Sequence, residues 1–117
     1  MKIDKQEQIL RNKIVKEIEY LNYKPYYKGT QYLIDTIYMM AMDTGKNMYN
    51  LSKEVYPVLA KKYNKTAHNI KCNINRANTC MYYECDVKIL KKYFTLSMDS
   101  KPNTKTIIYT ILNKVLK

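Results

Sequence analysis

Apolar residues recur at intervals of three and four along almost the whole chain, and this spacing limits the possible folds more than any other feature. It puts one face of a helix in the core, as with Leu10, Ile14, Ile18 and Leu21 near the N-terminus. Alternating apolar and polar runs bounded by turns, which indicate strands, are essentially absent. Only 2 Gly and 3 Pro interrupt 117 residues, a length that suits one hydrophobic core. The sequence therefore predicts an all-α protein.

Breaks in this spacing divide the chain into about six helices. Tyr56-Pro57 marks a helix start after a helical turn through Val55, because proline has no N–H and is tolerated in a first turn. Gly29 and Thr30 restart the period after a tyrosine-rich segment. The predicted helices cover residues 4–21, 30–42, 57–63, 66–81 and 86–93, and a last helix opened by Asn103 or Thr104. Residues 43–50 are predicted to be a loop.

The central part of the chain has the pattern of a helix-turn-helix. A short helix ends near Tyr63, Asn64 and Lys65 form a tight turn, and Thr66 can cap the next helix by accepting a free N–H of its first turn. The apolar residues of that longer helix all fall within one narrow stripe, which consists of Ala67, Ile70, Ile74, Ala77 and Met81. In such a motif the second helix enters the major groove of DNA while the first crosses the backbone.

The opposite face of the longer helix carries no carboxylate, although ordinary solvated helix faces usually combine Glu and Lys at four-residue spacing. Amide, hydroxyl, imidazole and guanidinium groups can hydrogen-bond to base edges, arginine to guanine and asparagine to adenine. We therefore predict that this face contacts bases. It consists of His68, Asn69, Lys71, Cys72, Asn75, Arg76 and Thr79, with Asn73 on a flank.

Positive charge is concentrated in the second half of the chain. The formal net charge is +11; residues 1–54 hold 9 basic and 7 acidic side chains, whereas residues 55–117 hold 12 and 3. A one-sided basic field attracts nucleic acid or an anionic membrane surface. The alternative is that a lysine-, asparagine- and tyrosine-rich composition reflects the codon bias of an AT-rich genome.

Other functional classes have little support in the sequence. The three cysteines, Cys72, Cys80 and Cys85, lack a Cys-x-x-Cys spacing, and Cys80 would point away from a helical His68–Cys72 pair, so no metal site is expected. With a single histidine and no glycine-rich phosphate loop, no enzyme, cofactor or small-molecule substrate is expected either. The chain has no apolar run of membrane-spanning length and no secretory signal, so we expect a cytoplasmic protein without membrane contacts.

A longer set of residues carries a resemblance to a known family. These residues are Lys28-Gly29, Tyr32-Leu33, Tyr56-Pro57, Leu59-Ala60-Lys61-Lys62-Tyr63-Asn64, Thr66-Ala67 and Lys101-Pro102-Asn103. From about Lys28 to the C-terminus, the chain closely resembles the C-terminal effector domain of the sporulation stage-zero master response regulators of spore-forming Firmicutes. This resemblance implies a six-helix DNA-binding domain with a helix-turn-helix, which regulates transcription at operator boxes and often binds them as tandem dimers.

Two departures from the family pattern bear on function. Residues 1–27 form an amphipathic helix and a tyrosine-rich linker and could not be a receiver domain, so regulation by phosphorylation is not expected; residues 28–117 form the predicted effector-like domain. On the contact face, the family tends to carry Arg, Glu, Arg, Arg and His at the positions of Asn69, Lys71, Cys72, Asn75 and Arg76. A changed set of base contacts predicts a different operator or weaker sequence reading.

The sequence thus predicts a regulator that binds double-stranded DNA, with a homodimer on tandem operator boxes as one form of the complex. One alternative is an interaction protein that dimerises with a full-length sporulation regulator and interferes with it; another is an RNA-binding protein. Arg76 is the predicted principal base reader, followed by Asn75 and Asn69. The predicted phosphate contacts, near the end of the first motif helix and in the turn, are Lys61, Lys62, Lys65 and Thr66.

The apolar stripe of the N-terminal helix has no partner within its own segment. It must pack either against the helical domain or against another copy of the chain. Because residues 22–28 form a short connection, we favour packing within one chain.

Overall fold

The computed structural model describes residues 5–42, 50–94 and 101–116, and these residues form six α-helices and one π-helical turn. No strand occurs within the described residues, so the prediction of an all-α protein with about six helices is confirmed. In chain order the elements are α1 Lys5–Tyr20, α2 Lys28–Met42, the π-helical turn Leu51–Val55, α3 Tyr56–Tyr63, α4 Ala67–Glu84, α5 Val87–Phe94 and α6 Thr104–Leu116. The predicted loop at residues 43–50 falls, except for Asn50, outside the described residues.

The helix-turn-helix consists of α3, a three-residue turn and α4. Asn64 ends α3 in the left-handed conformation, at φ 56° and ψ 49°, which asparagine adopts more readily than most residues. The N–H of Lys65 donates to the carbonyl of Ala60 at 2.8 Å and closes the end of α3. Thr66 then caps α4 as predicted, its Oγ1 accepting from the N–H of Asn69 at 3.0 Å.

The start of the motif differs in detail from the sequence prediction. The predicted helical turn through Val55 is a π-helical turn that leads directly into α3, which begins at Tyr56 rather than Pro57. Pro57 lies in the first turn of α3, a position that its fixed φ angle suits. Asn50 caps the π-helical turn by accepting from the N–H of Lys53 at 3.2 Å.

Helix α1 packs within its own chain, against α2 and α6. Ile14, Ile18 and Leu21 are at most 2% exposed and belong to the same core as Ile107 and Ile111 of α6. The intramolecular arrangement favoured from the sequence is therefore the one observed. Within the described ranges, no helix has the length and apolarity that crossing a membrane requires.

Helices α2 and α4 form the most extensive helix pair, and they meet most closely at Gly29. A Cβ atom at this position would lie 1.9 Å from the carbonyl oxygen of Asn73 and 3.0 Å from the Cβ of Ala77. Only glycine permits this approach of the α2 backbone to α4. The start of α2 is thus fixed directly beside the second helix of the motif.

Candidate nucleic-acid interface

Helix α4 presents its polar face to solvent, as its periodicity predicts. The stripe formed by Ile70, Ile74, Ala77 and Met81 is at most 2% exposed. Six of the seven predicted base-contacting side chains are exposed and Thr79 is half-buried; the exposed residues are His68, Asn69, Lys71, Cys72, Asn75 and Arg76. All seven are therefore brought to one surface of one helix, where a partner can reach them.

Neighbouring side chains of this face contact each other at four-residue spacing. The Sγ of Cys72 lies 3.3 Å from Nε2 of His68. Nδ2 of Asn73 donates to the Oδ1 of Asn69 at 3.1 Å and to its backbone carbonyl at 2.9 Å. These contacts engage Oδ1 of Asn69, so its Nδ2 is the amide group that can donate to a partner.

One flank of α4 is joined to the start of α6 by a chain of hydrogen bonds. The buried Tyr23 hydroxyl donates to Oδ1 of Asn78 at 2.6 Å, and Nδ2 of Asn78 donates to Oγ1 of Thr104 at 3.1 Å. The Thr104 hydroxyl in turn donates to Oδ1 of Asn75 at 2.5 Å. Because Oδ1 of Asn75 accepts from the Thr104 hydroxyl, the Nδ2 of Asn75 is the amide group that can donate a hydrogen bond to a partner.

Lys101 reaches the same flank, since its Nζ donates to Oγ1 of Thr79 at 2.5 Å. Lys101 is exposed and stands just before α6. Lys101 is not among the predicted DNA contacts, although Lys101-Pro102-Asn103 is one of the segments that carry the family resemblance. The contact with Thr79 is not predictable from local spacing, because Lys101 is 22 residues away from it along the chain.

The other flank of α4 is formed by the start of α2. A cleft of about 280 Å³ lies between the two helices and is lined by Tyr26, Tyr27, Lys28, Gly29, Asn73 and Arg76. It brings Lys28 to the side of Arg76. Lys28 is not among the predicted DNA contacts, because its proximity to α4 depends on the close approach of the two helices at Gly29.

The predicted phosphate contacts divide into two groups. Lys61, Lys65 and Thr66 are exposed at the end of α3 and in the turn. Lys62 is 58% exposed, but its Nζ lies 3.3 Å from Oδ2 of Asp35, a residue of α2 that is only 3% exposed. Part of the Lys62 charge therefore compensates a buried carboxylate, whereas no ion pair within the described residues involves Lys61 or Lys65.

Asp35 joins α1, α2 and α3. Arg11 of α1 donates to its Oδ1 at 2.6 Å, and the hydroxyl of Tyr63 donates to its Oδ2. Burial alone would raise the pKa of Asp35, but the hydrogen bonds from Tyr63 and Arg11 and the charge of Lys62 outweigh it and hold the pKa below its ordinary value. Burial and the bond to Asp35 raise the pKa of Tyr63 to about 12. Asp35 therefore stays ionised at neutral pH and ties α1 to the helix-turn-helix.

The electrostatic field of the motif is positive. No acidic residue occurs between Glu54 and Glu84, a span that holds both helices of the motif. Glu84 is paired with Lys24 at 3.4 Å. Cys72, Cys80 and Cys85 are free thiols, and no group of three or more potential metal-ligating side chains occurs among the described residues.

An all-α fold with a helix-turn-helix, in which the second helix exposes a polar face without carboxylates, defines the class of helix-turn-helix DNA-binding domains. The comparison with known families agrees: residues 14–115 match the family model described as the sporulation initiation factor Spo0A C terminal, and the chain therefore belongs to this family. The match extends the resemblance found from Lys28 onward to the C-terminal part of α1.

Membership of this family supports DNA binding in the regulation of transcription, because the family is a DNA-binding effector domain of sporulation regulators. It is a regulatory family and not a family of enzymes. The family binds double-stranded DNA, which agrees with the exposed, acid-free face of α4.

Proposed function

We propose that the protein is a sequence-specific transcription regulator that acts in the cytoplasm by inserting α4 into the major groove of double-stranded DNA. The observation that carries this proposal is the conjunction of family membership with a second motif helix whose exposed face has hydrogen-bonding groups and no carboxylate. From His68 to Thr79 this face extends over about 16 Å, enough to follow several base pairs along the groove.

Base reading is proposed for the exposed amides and the guanidinium of α4. Arg76 carries a planar fork that can donate to O6 and N7 of one guanine, and we propose it as the principal reader. Asn75 and Asn69 are proposed to contact adenine, each donating from Nδ2 to N7 and accepting from the N6 amino group with the second lone pair of its Oδ1. The remaining proposed contacts to bases, His68, Lys71, Cys72 and Thr79, lie along the same face.

The backbone contacts are proposed for the end of α3 and the turn. Lys61, Lys65 and Thr66 are exposed where the first motif helix crosses the DNA backbone, and Lys62 contributes with the part of its charge that Asp35 leaves uncompensated. Two copies of the chain on tandem operator boxes are the proposed dimeric form. Sedimentation on duplexes with one or two boxes tests it, since two boxes should bind two copies.

Selection of bound sequences from a random duplex pool tests the proposed function. A shared motif among the selected duplexes is the expected result, and its affinity should exceed that of random duplex. A chain that binds RNA hairpins or a full-length relative but no duplex would contradict the proposal.

The variant Arg76→Ala tests the assignment of the principal reader. It should cost about 1–3 kcal/mol of binding free energy on the selected operator and relax the preference at one G·C pair, with little change on random duplex. Arg76→Lys should restore little of that preference, because an ammonium lacks the fork. Lys65→Ala is the control, since loss of a phosphate contact weakens binding to all sequences alike. Equal losses on operator and random duplex for Arg76→Ala would show that Arg76 binds a phosphate.

A further inference from the structure

Two clefts without carboxylates lie along one side of the helix-turn-helix, and Lys28 separates them. The first, of about 280 Å³, adjoins Arg76 of α4. The second, of about 300 Å³, is lined by Lys28, Gln31, Tyr32, Tyr63 and Lys65. Lys28 lines both clefts, and the two together form a strip from Arg76 through Lys28 to Lys65 along which every charged group is a cation.

Tyr26 adds an exposed hydroxyl-bearing ring to this strip. Tyr26 is 76% exposed. Its ring packs edge-on against Tyr27, with centroids 5.1 Å apart and an interplanar angle of 89°. The contact with Tyr27 holds one side of the ring while most of the side chain stays open to a partner.

The segment that carries these residues contacts α4 at three points. Lys24 forms an ion pair with Glu84 at 3.4 Å, and the Nδ2 of Asn22 donates to the carbonyl of Glu84 at 3.4 Å. Sγ of Cys80 lies 3.8 Å from the hydroxyl of Tyr27. These contacts place the backbone of the segment beside α4 before any partner binds.

The position of this strip beside α4 indicates its partner. The major groove is about 12 Å wide and a helix with its side chains fills about 10–12 Å, so groups directly beside an inserted helix face the sugar-phosphate backbone. We propose that Lys28 and Tyr26 bind backbone phosphates of one DNA strand and extend the contacts of Lys65 along α4. This inference rests on the proposed function, because it requires α4 to lie in the groove.

The test compares Lys28→Gln and Tyr26→Phe with a matched control, Lys16→Gln. Lys16 is exposed on α1, and it lines a cleft together with Lys114 and Val115 near the C-terminal end of α6. Lys101, which contacts α4, precedes the other end of α6. Affinity for the operator selected from the random pool is measured at 50 and 200 mM salt. Loss of one phosphate contact should reduce the ratio between these two affinities about 3.5-fold for Lys28→Gln, and Lys16→Gln should keep the wild-type ratio.

Duplexes with a single neutral methylphosphonate locate the contact. A methylphosphonate at one or two adjacent positions of one strand should weaken binding of the wild-type chain. The same substitution should cause no further loss of affinity for Lys28→Gln. At one of these positions Tyr26→Phe should also lose its sensitivity, because only the hydroxyl donor has been removed.

The two hypotheses fail in different ways. If the wild-type chain binds the operator while Lys28→Gln and Tyr26→Phe behave like Lys16→Gln in both assays, the inference is overturned and the proposed function stands. If the wild-type chain binds no duplex, both are overturned.

Discussion

Replacement of Gly29 by alanine should destabilise the protein, although alanine is normally the better helix residue. The added Cβ would lie 1.9 Å from the carbonyl oxygen of Asn73 and 2.5 Å from its carbonyl carbon. Carbon and oxygen in close contact are normally about 3.3–3.6 Å apart. Because both nearest atoms belong to the backbone, no side-chain rotation relieves the overlap, and α2 and α4 must separate by more than about 1 Å.

The expected size of the effect follows from two opposing contributions. Alanine gains about 1 kcal/mol over glycine in a helix interior, and this value is an upper limit at Gly29 because the residue lies in the first turn of α2. Overpacking costs about 1–3 kcal/mol or more, and a gap of 0.5–1 Å forfeits roughly a quarter to a half of the dispersion energy of the atoms lining it. Since α2 and α4 form the most extensive helix pair of the fold, we expect a net loss of about 2 kcal/mol in the free energy of unfolding.

Urea denaturation followed by far-ultraviolet circular dichroism measures this loss. Lys28→Ala is the control, because it makes a helix-favouring change at the neighbouring exposed position without an overlap. A Gly29→Ala protein more stable than wild type by about 0.4–1 kcal/mol, the gain typical of an unconstrained site, would refute the close approach of the two helices.

The remaining predictions concern charge and the N-terminal helix. Lys65→Ala should lower the salt slope of DNA binding by about one unit, whereas Lys62→Ala should lower it less and reduce stability, because Asp35 loses a partner. The pKa of Asp35 is lower in the folded than in the unfolded protein, so the ionised carboxylate contributes to the free energy of unfolding above about pH 4. This contribution is lost as the pH falls further and Asp35 is protonated. Asp35→Asn should therefore reduce the fall in stability at acidic pH. A chain truncated to begin at Lys28 should unfold more readily in urea and self-associate, while the full chain sediments as a monomer; dimerisation of the full chain alone would contradict intramolecular packing of α1.

Local signals in the sequence account for most of the predicted fold. Residues within a few positions of each other determine the apolar stripe of α1, the cap at Thr66 and the turn at Asn64-Lys65. These features can therefore be predicted from the sequence alone. The start of α2 at Lys28, before Gly29, depends instead on packing against Asn73. Glycine disfavours helix, and here a tertiary contact overrides that preference.

The sequence likewise predicts the part of the candidate site that depends on local spacing. Periodicity alone identifies the exposed face of α4, because burial of one stripe fixes the opposite one. It does not identify what stands beside the helix. Lys28 and Lys101 reach its two flanks from distant segments, and Lys62 meets Asp35 across another helix pair. Residue type and spacing therefore predict which side chains are exposed but not which charges are already paired.

The structure also distinguishes the two neighbouring residues proposed as base readers. Asn75 is held by Thr104 at the end of a hydrogen-bond chain that begins at buried Tyr23, so its amide is oriented before any partner binds. Arg76 lies beside the cleft of Lys28 and forms no ion pair within the described part of the chain. A preorganised amide favours one base through geometry, whereas a long guanidinium can reach either a base edge or a phosphate. If the proposed base contacts are correct, a variant that breaks the chain, Thr104→Val, should therefore weaken the preference at the base pair contacted by Asn75 and leave the preference that depends on Arg76 unchanged.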